Sequence, residues 1–200
     1  MSASVLYMSM SVDGFVAGLH DGPGNGLGDG GHRLHEWFLP GGDPDRPQAP
    51  DHLTGVNRQV MDEAMSTGAV VVGRRTFELA GGWGGDHHDG APIFVLSRHE
   101  PETELRWPGV TYVSDVRRAV RIAKDAAAAK DVLVHGAATA QLALTAGVLD
   151  EMQLHLVPVL LGQGRLLFDN LPPDRVELEL VRAMDGPGVT HLRYRVRSEG

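Results

Sequence analysis

The sequence contains no cysteine. A disulfide framework, a zinc ribbon and a thiol nucleophile are therefore excluded, and the absence fits a reducing compartment. No run approaches the roughly 20 apolar residues that a membrane helix needs. The opening MSASVLYMSMSVDG has neither a basic leader nor a long apolar stretch, so a cytoplasmic protein with no membrane partner is expected. Basic residues are in deficit, 18 Lys and Arg against 26 Asp and Glu, for a net charge of -8. An acidic surface repels phosphate backbones, which argues against nucleic acid as a partner. There is no internal repeat, low-complexity tail or clear linker, and 200 residues suit one domain spanning 1–200.

Glycine is what the chain has in quantity, with 26 residues. Six fall in DGPGNGLGDGGH, Asp21 to His32, where Gly26, Gly28 and Gly31 spell G-x-G-x-x-G. A dinucleotide fingerprint must join a strand directly to a helix, with an acidic residue about 20 positions on. Here the first apolar run ends near Val12 and the next strand starts near Ala69, so the spacing is wrong. The glycine-rich loop 19–31 reads instead as a mobile lid, in which glycine keeps many backbone states open. It opens a long Gly, Pro and Asp-rich segment reaching about Leu53, interrupted by one helical patch, HRLHEWFL.

The remainder alternates. VLYMSM, AVVVG, IFVLS, VTYVS and DVLVHG are short apolar runs that read as buried strands. TGVNRQVMDEAMS reads as a helix capped by Thr54, with Val56, Val60 and Ala64 on one face. DVRRAVRIAKDAAAAK is a helix capped by Asp115, and AATAQLALTAGVLD is one that ends near Gly147. EMQLHLVPVLLG reads as a longer strand in which Pro158 marks a bulge or an edge. In RVELELVRAMDGPGVTHLRYRV, Glu177, Glu179 and Val181 alternate with Leu178, Leu180 and Arg182. DGPG then turns the chain into an edge hairpin. The order predicts an α/β fold: a mixed, mostly parallel sheet with an antiparallel hairpin last.

Ligands of parallel sheets bind at the carboxyl ends of the strands. Gly73, Arg74, Arg75 and Thr76 sit where AVVVG ends, and two guanidinium forks there suit a phosphate monoester. Ser97 and Arg98 end the next strand and form the second wall of the same anionic pocket. Gly136, Ala137, Ala138 and Thr139 repeat the pattern: small residues that admit a pyrophosphate and a hydroxyl that can donate to it. Asp13, closing the first strand before Gly14, is the candidate for substrate binding or proton relay. His32, His35 and Asp86-His87-His88-Asp89 invite a metal, but there is no H-E-x-x-H, and surface histidines are expected.

The stretches SMSVDGFVAG, VVVGRRTFE, IFVLSR and DVLVHGAATAQLALTAGVLDEMQLHLVPVLLGQGRLLFD span the chain in order. They resemble the dihydrofolate-reductase-like superfamily, and within it the reductase domain of the bifunctional riboflavin-biosynthesis deaminase-reductase and its stand-alone relatives. The resemblance implies NADPH as cofactor, a small heterocyclic substrate and a homodimer. It places Arg74, Arg75 and Thr76 on the 2′-phosphate and pyrophosphate, and Ser97 and Arg98 at the adenine end. Gly136 to Thr139 would lie under the pyrophosphate, and Ala17 and Gly18 at the nicotinamide. The deaminase signature needs cysteines that this chain lacks. Relatives carry Gly-Gly where this chain has His135-Gly136, a step that is a cis peptide in dihydrofolate reductases. Their buried carboxylate has two candidate matches, Glu36 and Asp62. These departures keep open a non-catalytic NADP(H)-binding or sensor protein on the same scaffold.

Overall fold

A computed structural model describes residues 2–39, 52–99, 107–171 and 175–197. Four of its strands are apolar runs, β1 (Ser4–Ser11), β3 (Ala69–Gly73), β4 (Ile93–Leu96) and β6 (Val132–His135), while β7 (Glu151–Val157) alternates apolar and polar residues. Val70, Val71 and Val72 are fully buried, as expected of strands covered on both faces. With β5 (Val110–Val113) they pair in parallel in the order β5-β4-β3-β6-β1-β7. The hairpin of β9 (Leu178–Gly186) and β10 (Val189–Val196) completes the eight-stranded sheet, β10 running antiparallel to β7. A separate two-stranded ribbon joins β2 (Phe15–Ala17) to β8 (Arg165–Leu166).

Helices α1 (Gly55–Met65), α2 (Arg74–Leu79), α3 (Val116–Ala127) and α4 (Ala137–Thr145) flank the sheet. Asp115 caps α3 by accepting from the Arg118 amide at 2.8 Å, and Ala119, Val120, Ala123 and Ala127 bury its apolar face. Thr54 occupies the N-cap position of α1 without a side-chain cap bond. The two sheet faces carry separate cores. One gathers Leu6, Val71, Val134 and Met152 with α3 and α4, the other Val5, Val72, Leu133 and Phe77. None of the described helices is long and apolar enough to cross a membrane.

Three expectations are corrected. Strand β7 stops at Val157, because Pro158 has no amide to donate and β7 is flanked on both sides. In the hairpin, Arg193 pairs with Arg182 but Tyr194 with Leu180. Val181 is thus a bulge that breaks the alternation, leaving Leu180 56% and Val181 45% exposed. The HRLHEWFL patch forms a 3-10 turn over Gly31–Leu34 rather than an α-helix, yet buries Leu34 and Trp37. Residues 40–51 of the long segment lie outside the described residues.

Candidate active site

Strands β3 and β6 are neighbours, so their carboxyl ends bring two turns together. Gly73 is the N-cap of α2 and Gly136 the N-cap of α4. The turns interlock through their threonines. A Cβ at Gly136 would lie 2.5 Å from Thr76 Oγ1, and one at Gly73 would lie 2.9 Å from Thr139 Oγ1. Gly136 also holds φ at 94°, a region that favours glycine. The Thr139 hydroxyl is buried without a hydrogen-bond partner. The peptides of the described residues are all trans, His135-Gly136 included.

A cavity of about 380 Å³ opens beside these turns, lined by Gly18, Asp21, Ala137, Ala138 and Arg165 among others. It therefore collects three of the residues singled out in the sequence. A larger cavity of about 650 Å³ lies at the β9-β10 turn and is lined by none of them. We take the smaller one as the candidate site, because Gly18 beyond β2 and the start of α4 beyond β6 meet there. Arg74 and Arg75 stand exposed at the start of α2. Among the described residues Arg74 has a loose partner, Glu78 at 3.7 Å. Ser97 turns its hydroxyl onto its own loop, donating to the His99 carbonyl at 2.8 Å, while Arg98 is exposed.

The glycine-rich segment borders the cavity, and two of its glycines, Gly28 and Gly31, pack closely while Gly22 and Gly24 stand in open space. A Cβ on Gly18 would meet the Asp29 carbonyl at 1.8 Å, and one on Gly28 would meet the Gly18 carbonyl at 2.4 Å. The Gly18 amide donates to the Leu27 carbonyl at 2.9 Å, and Asp29 to Leu19 at 2.7 Å. Here the glycines permit close backbone approach inside a packed loop. Gly164 in turn packs against the Ala17 carbonyl, where a Cβ would come within 2.1 Å.

Asp21 was not foreseen as a site residue, nor was Arg165. The Asp21 carboxylate accepts from Arg165 Nε at 3.0 Å and from Arg75 Nε at 3.2 Å. Asp13 accepts from the Ser11 hydroxyl at 2.6 Å and from the Leu161 and Gly162 amides at 3.1 and 2.7 Å. These bonds, the Ser11 hydroxyl first, hold its carboxyl below the usual carboxylate range. An ionised carboxylate cannot donate a proton at neutral pH, so the geometry favours a tether over an acid. Glu36 and Asp62 are exposed, paired with Arg33 at 3.5 Å and Arg58 at 2.7 Å. The partly buried carboxylate of α1 is Glu63, which receives the Arg182 fork at 2.8 and 2.6 Å.

The expectation of surface histidines is also corrected. His88 is buried, with Nε2 3.1 Å from Thr67 Oγ1. His155 and His191 lie buried with Nδ1 atoms 2.9 Å apart, beneath the Trp37 ring. His191 Nε2 reaches Asn57 Oδ1 at 3.1 Å, and the Trp37 indole donates to Ser9 Oγ at 3.0 Å. Burial pushes His35 and His191 down to about 4 and lowers His155 and His135 as well. Among the described residues no group of three or more His, Cys, Asp or Glu is placed to hold a metal ion.

The profile of the RibD C-terminal domain matches residues 4–192. No curated protein sequence matches the chain. Among solved structures, a putative riboflavin biosynthesis protein from Shewanella sp. PV-4 superposes with a TM-score of 0.70 at 21% identity, covering 98% of this chain and 99% of that one. A pyrimidine reductase-like protein from Corynebacterium diphtheriae gives 0.60 at 14% identity, covering 99% and 92%. The Thermotoga maritima diaminohydroxyphosphoribosylaminopyrimidine deaminase/5-amino-6-(5-phosphoribosylamino)uracil reductase gives 0.62 at 14%, covering 98% of this chain but 57% of that one. At such identities the structural likeness establishes the fold. The profile match covers nearly the whole chain, and the chain belongs to the RibD C-terminal domain family.

Proposed function

We propose that this member of the RibD C-terminal domain family is an NADPH-dependent reductase of a small heterocyclic substrate. The observation that carries the reading is the pair of interlocked turns, Gly73–Thr76 and Gly136–Thr139, beside the cavity that contains Gly18. The residues present fit the cofactor. Thr139 offers a buried, unpartnered hydroxyl, and Gly136 lets the turn after β6 approach Thr76 closely. The amides at the start of α4 face an anion favourably. Arg74 and Arg75 would take the 2′-phosphate, Thr76 and Gly136 to Thr139 the pyrophosphate, and Ser97 and Arg98 would flank the adenine end. Ala17 and Gly18 would border the nicotinamide.

Bound there, the cofactor would supply a hydride to an electrophilic carbon of the substrate. The chain's own work is positioning and exclusion of water. Asp13 holds the end of β1 against the 161–162 backbone, and the proton that completes reduction comes from water. The substrate is of the class reduced by the Thermotoga maritima relative, a substituted uracil, or a related pterin. We retain the homodimer and the cytoplasmic location with this reading. Light scattering of the purified chain tests the first, and a tagged full-length protein the second.

Fluorescence titration with NADPH tests the core of the proposal. Saturable binding, followed by NADPH oxidation with a pyrimidine or pterin acceptor, is the expected result. Absence of binding at high micromolar NADPH would refute it. One observation favours the second reading, a non-catalytic NADP(H)-binding protein: the carboxylate nearest the end of β1 is held ionised. Binding without turnover across pyrimidine, pterin and quinone acceptors would select it.

A further inference from the structure

Two arginines from distant parts of the chain close on one carboxylate. Arg165 grips Asp21 with both prongs, Nε to Oδ2 at 3.0 Å and an Nη to Oδ1 at 3.2 Å. Arg75 reaches the same Oδ2 at 3.2 Å and the Asp21 backbone carbonyl at 2.5 Å. The Asp21 side chain is only 16% exposed, whereas the arginines are 51% and 43% exposed. The carboxylate is thus enclosed, while both arginine side chains are about half open to solvent and Arg165 lines the cavity with Asp21.

Two cations against one anion leave the cluster a positive charge in excess. A phosphate carries more charge and more acceptor oxygens than a carboxylate, and it matches two guanidinium forks better. Half-exposed pairs of this kind are weak enough to be exchanged. The cluster also pins the glycine-rich segment. Asp21 lies in that segment, Arg75 in α2, and Arg165 in β8, where it pairs with Ala17. Breaking the contact to Arg75 removes the ion pair between this segment and α2, leaving the packing of Gly26 against Leu79.

We propose that Asp21 is an internal counter-anion in a phosphate site formed by Arg75 and Arg165. A ligand phosphate replaces its carboxylate on Arg75, and the exchange loosens the hold of α2 on the 19–31 segment. Asp21 then sets the affinity for phosphate-bearing ligands and couples their binding to movement of the loop that borders Gly18. That the displacing phosphate belongs to the cofactor rests on the reductase reading. The existence of the site does not.

The test uses the full chain, its Asp21→Asn variant and, should that variant fold poorly, Asp21→Ser. Binding of inorganic pyrophosphate is measured first by calorimetry, then that of NADPH and NADH. Removing the competing charge should tighten pyrophosphate about tenfold, which corresponds to about 1.4 kcal/mol. Pyrophosphate should also raise amide hydrogen exchange across 19–31 in the unmodified chain. A gain for NADPH alone assigns the displacing group to the 2′-phosphate; an equal gain for NADH assigns it to the diphosphate. Both support the exchange. Unchanged pyrophosphate affinity in both variants overturns it. Weaker affinity overturns it too, since Asp21 would then be orienting the arginines. A gain for pyrophosphate in a chain that binds neither nucleotide upholds the exchange and rejects the cofactor reading.

Discussion

Gly136 faces Thr76 so closely that a single added carbon would sit 2.5 Å from its hydroxyl oxygen. The contact joins the turn after β6 to the turn after β3, and each turn carries half of the proposed phosphate-binding surface. Gly136→Ala must therefore move Thr76 or distort α4, and it also strains a residue at φ 94°. The backbone strain alone costs about 1–3 kcal/mol. We expect a lower Tm and at least a tenfold weaker Kd for NADPH. A variant with unchanged affinity would separate this contact from the site.

Acid should weaken the fold earlier than carboxylates alone would cause. His35 and His191 are pushed down to about 4 by burial, and His155 is lowered in the same way. The unfolded chain, whose histidines titrate near 6.5, takes up protons that the folded chain refuses. Their contribution to stability is complete above about pH 6.5 and is lost as pH falls toward 4. Urea midpoints at pH 7.5, 6 and 5 should decline in order. A flat profile over that range would contradict the buried histidine layer.

Asp13→Asn distinguishes a tether from an acid. General acid catalysis contributes about 10²–10⁴-fold, so loss of the proton donor would lower kcat by that much. The tether account expects less than tenfold, with faster hydrogen exchange at the Leu161 and Gly162 amides that Asp13 now holds. A kcat loss of a hundredfold or more, with those amides still protected, would restore the acid role.

Trp37 should be worth more to stability than a loop aromatic ordinarily is. It is buried, donates to Ser9, and packs its ring 4.8 Å from His155 and 5.0 Å from His191. Trp37→Ala opens that space and strands the polar groups beneath. A loss of about 3–5 kcal/mol is expected from chemical unfolding.

The parallel strands and α3 were legible because their apolar periodicity is dense and their burial follows from it. Gly73 and Gly136 were legible as small residues closing two strands, and the structure makes them the N-caps of α2 and α4. The interlock of each glycine with the other turn's threonine was not, because it depends on β3 lying beside β6. The run Asp21 to His32 shows why glycine composition misleads: freedom and close approach use the same residue. Only the meeting of Gly18 with Gly28 and Asp29 tells them apart. The Asp21 to Arg165 pair spans 144 positions and leaves no local trace. His155 and His191 sit opposite each other in β7 and β10, a cross-strand register that one strand alone cannot reveal.

Cofactor discrimination decides whether Arg74 and Arg75 hold a 2′-phosphate. NADPH and NADH should be titrated against the unmodified chain and against a chain carrying both Arg74→Ala and Arg75→Ala. If these arginines hold the 2′-phosphate, the double variant loses roughly 100-fold in NADPH affinity, two charge-assisted contacts of about 1.4 kcal/mol each, and little for NADH. Equal losses for both cofactors, or no preference for NADPH at the outset, would contradict it.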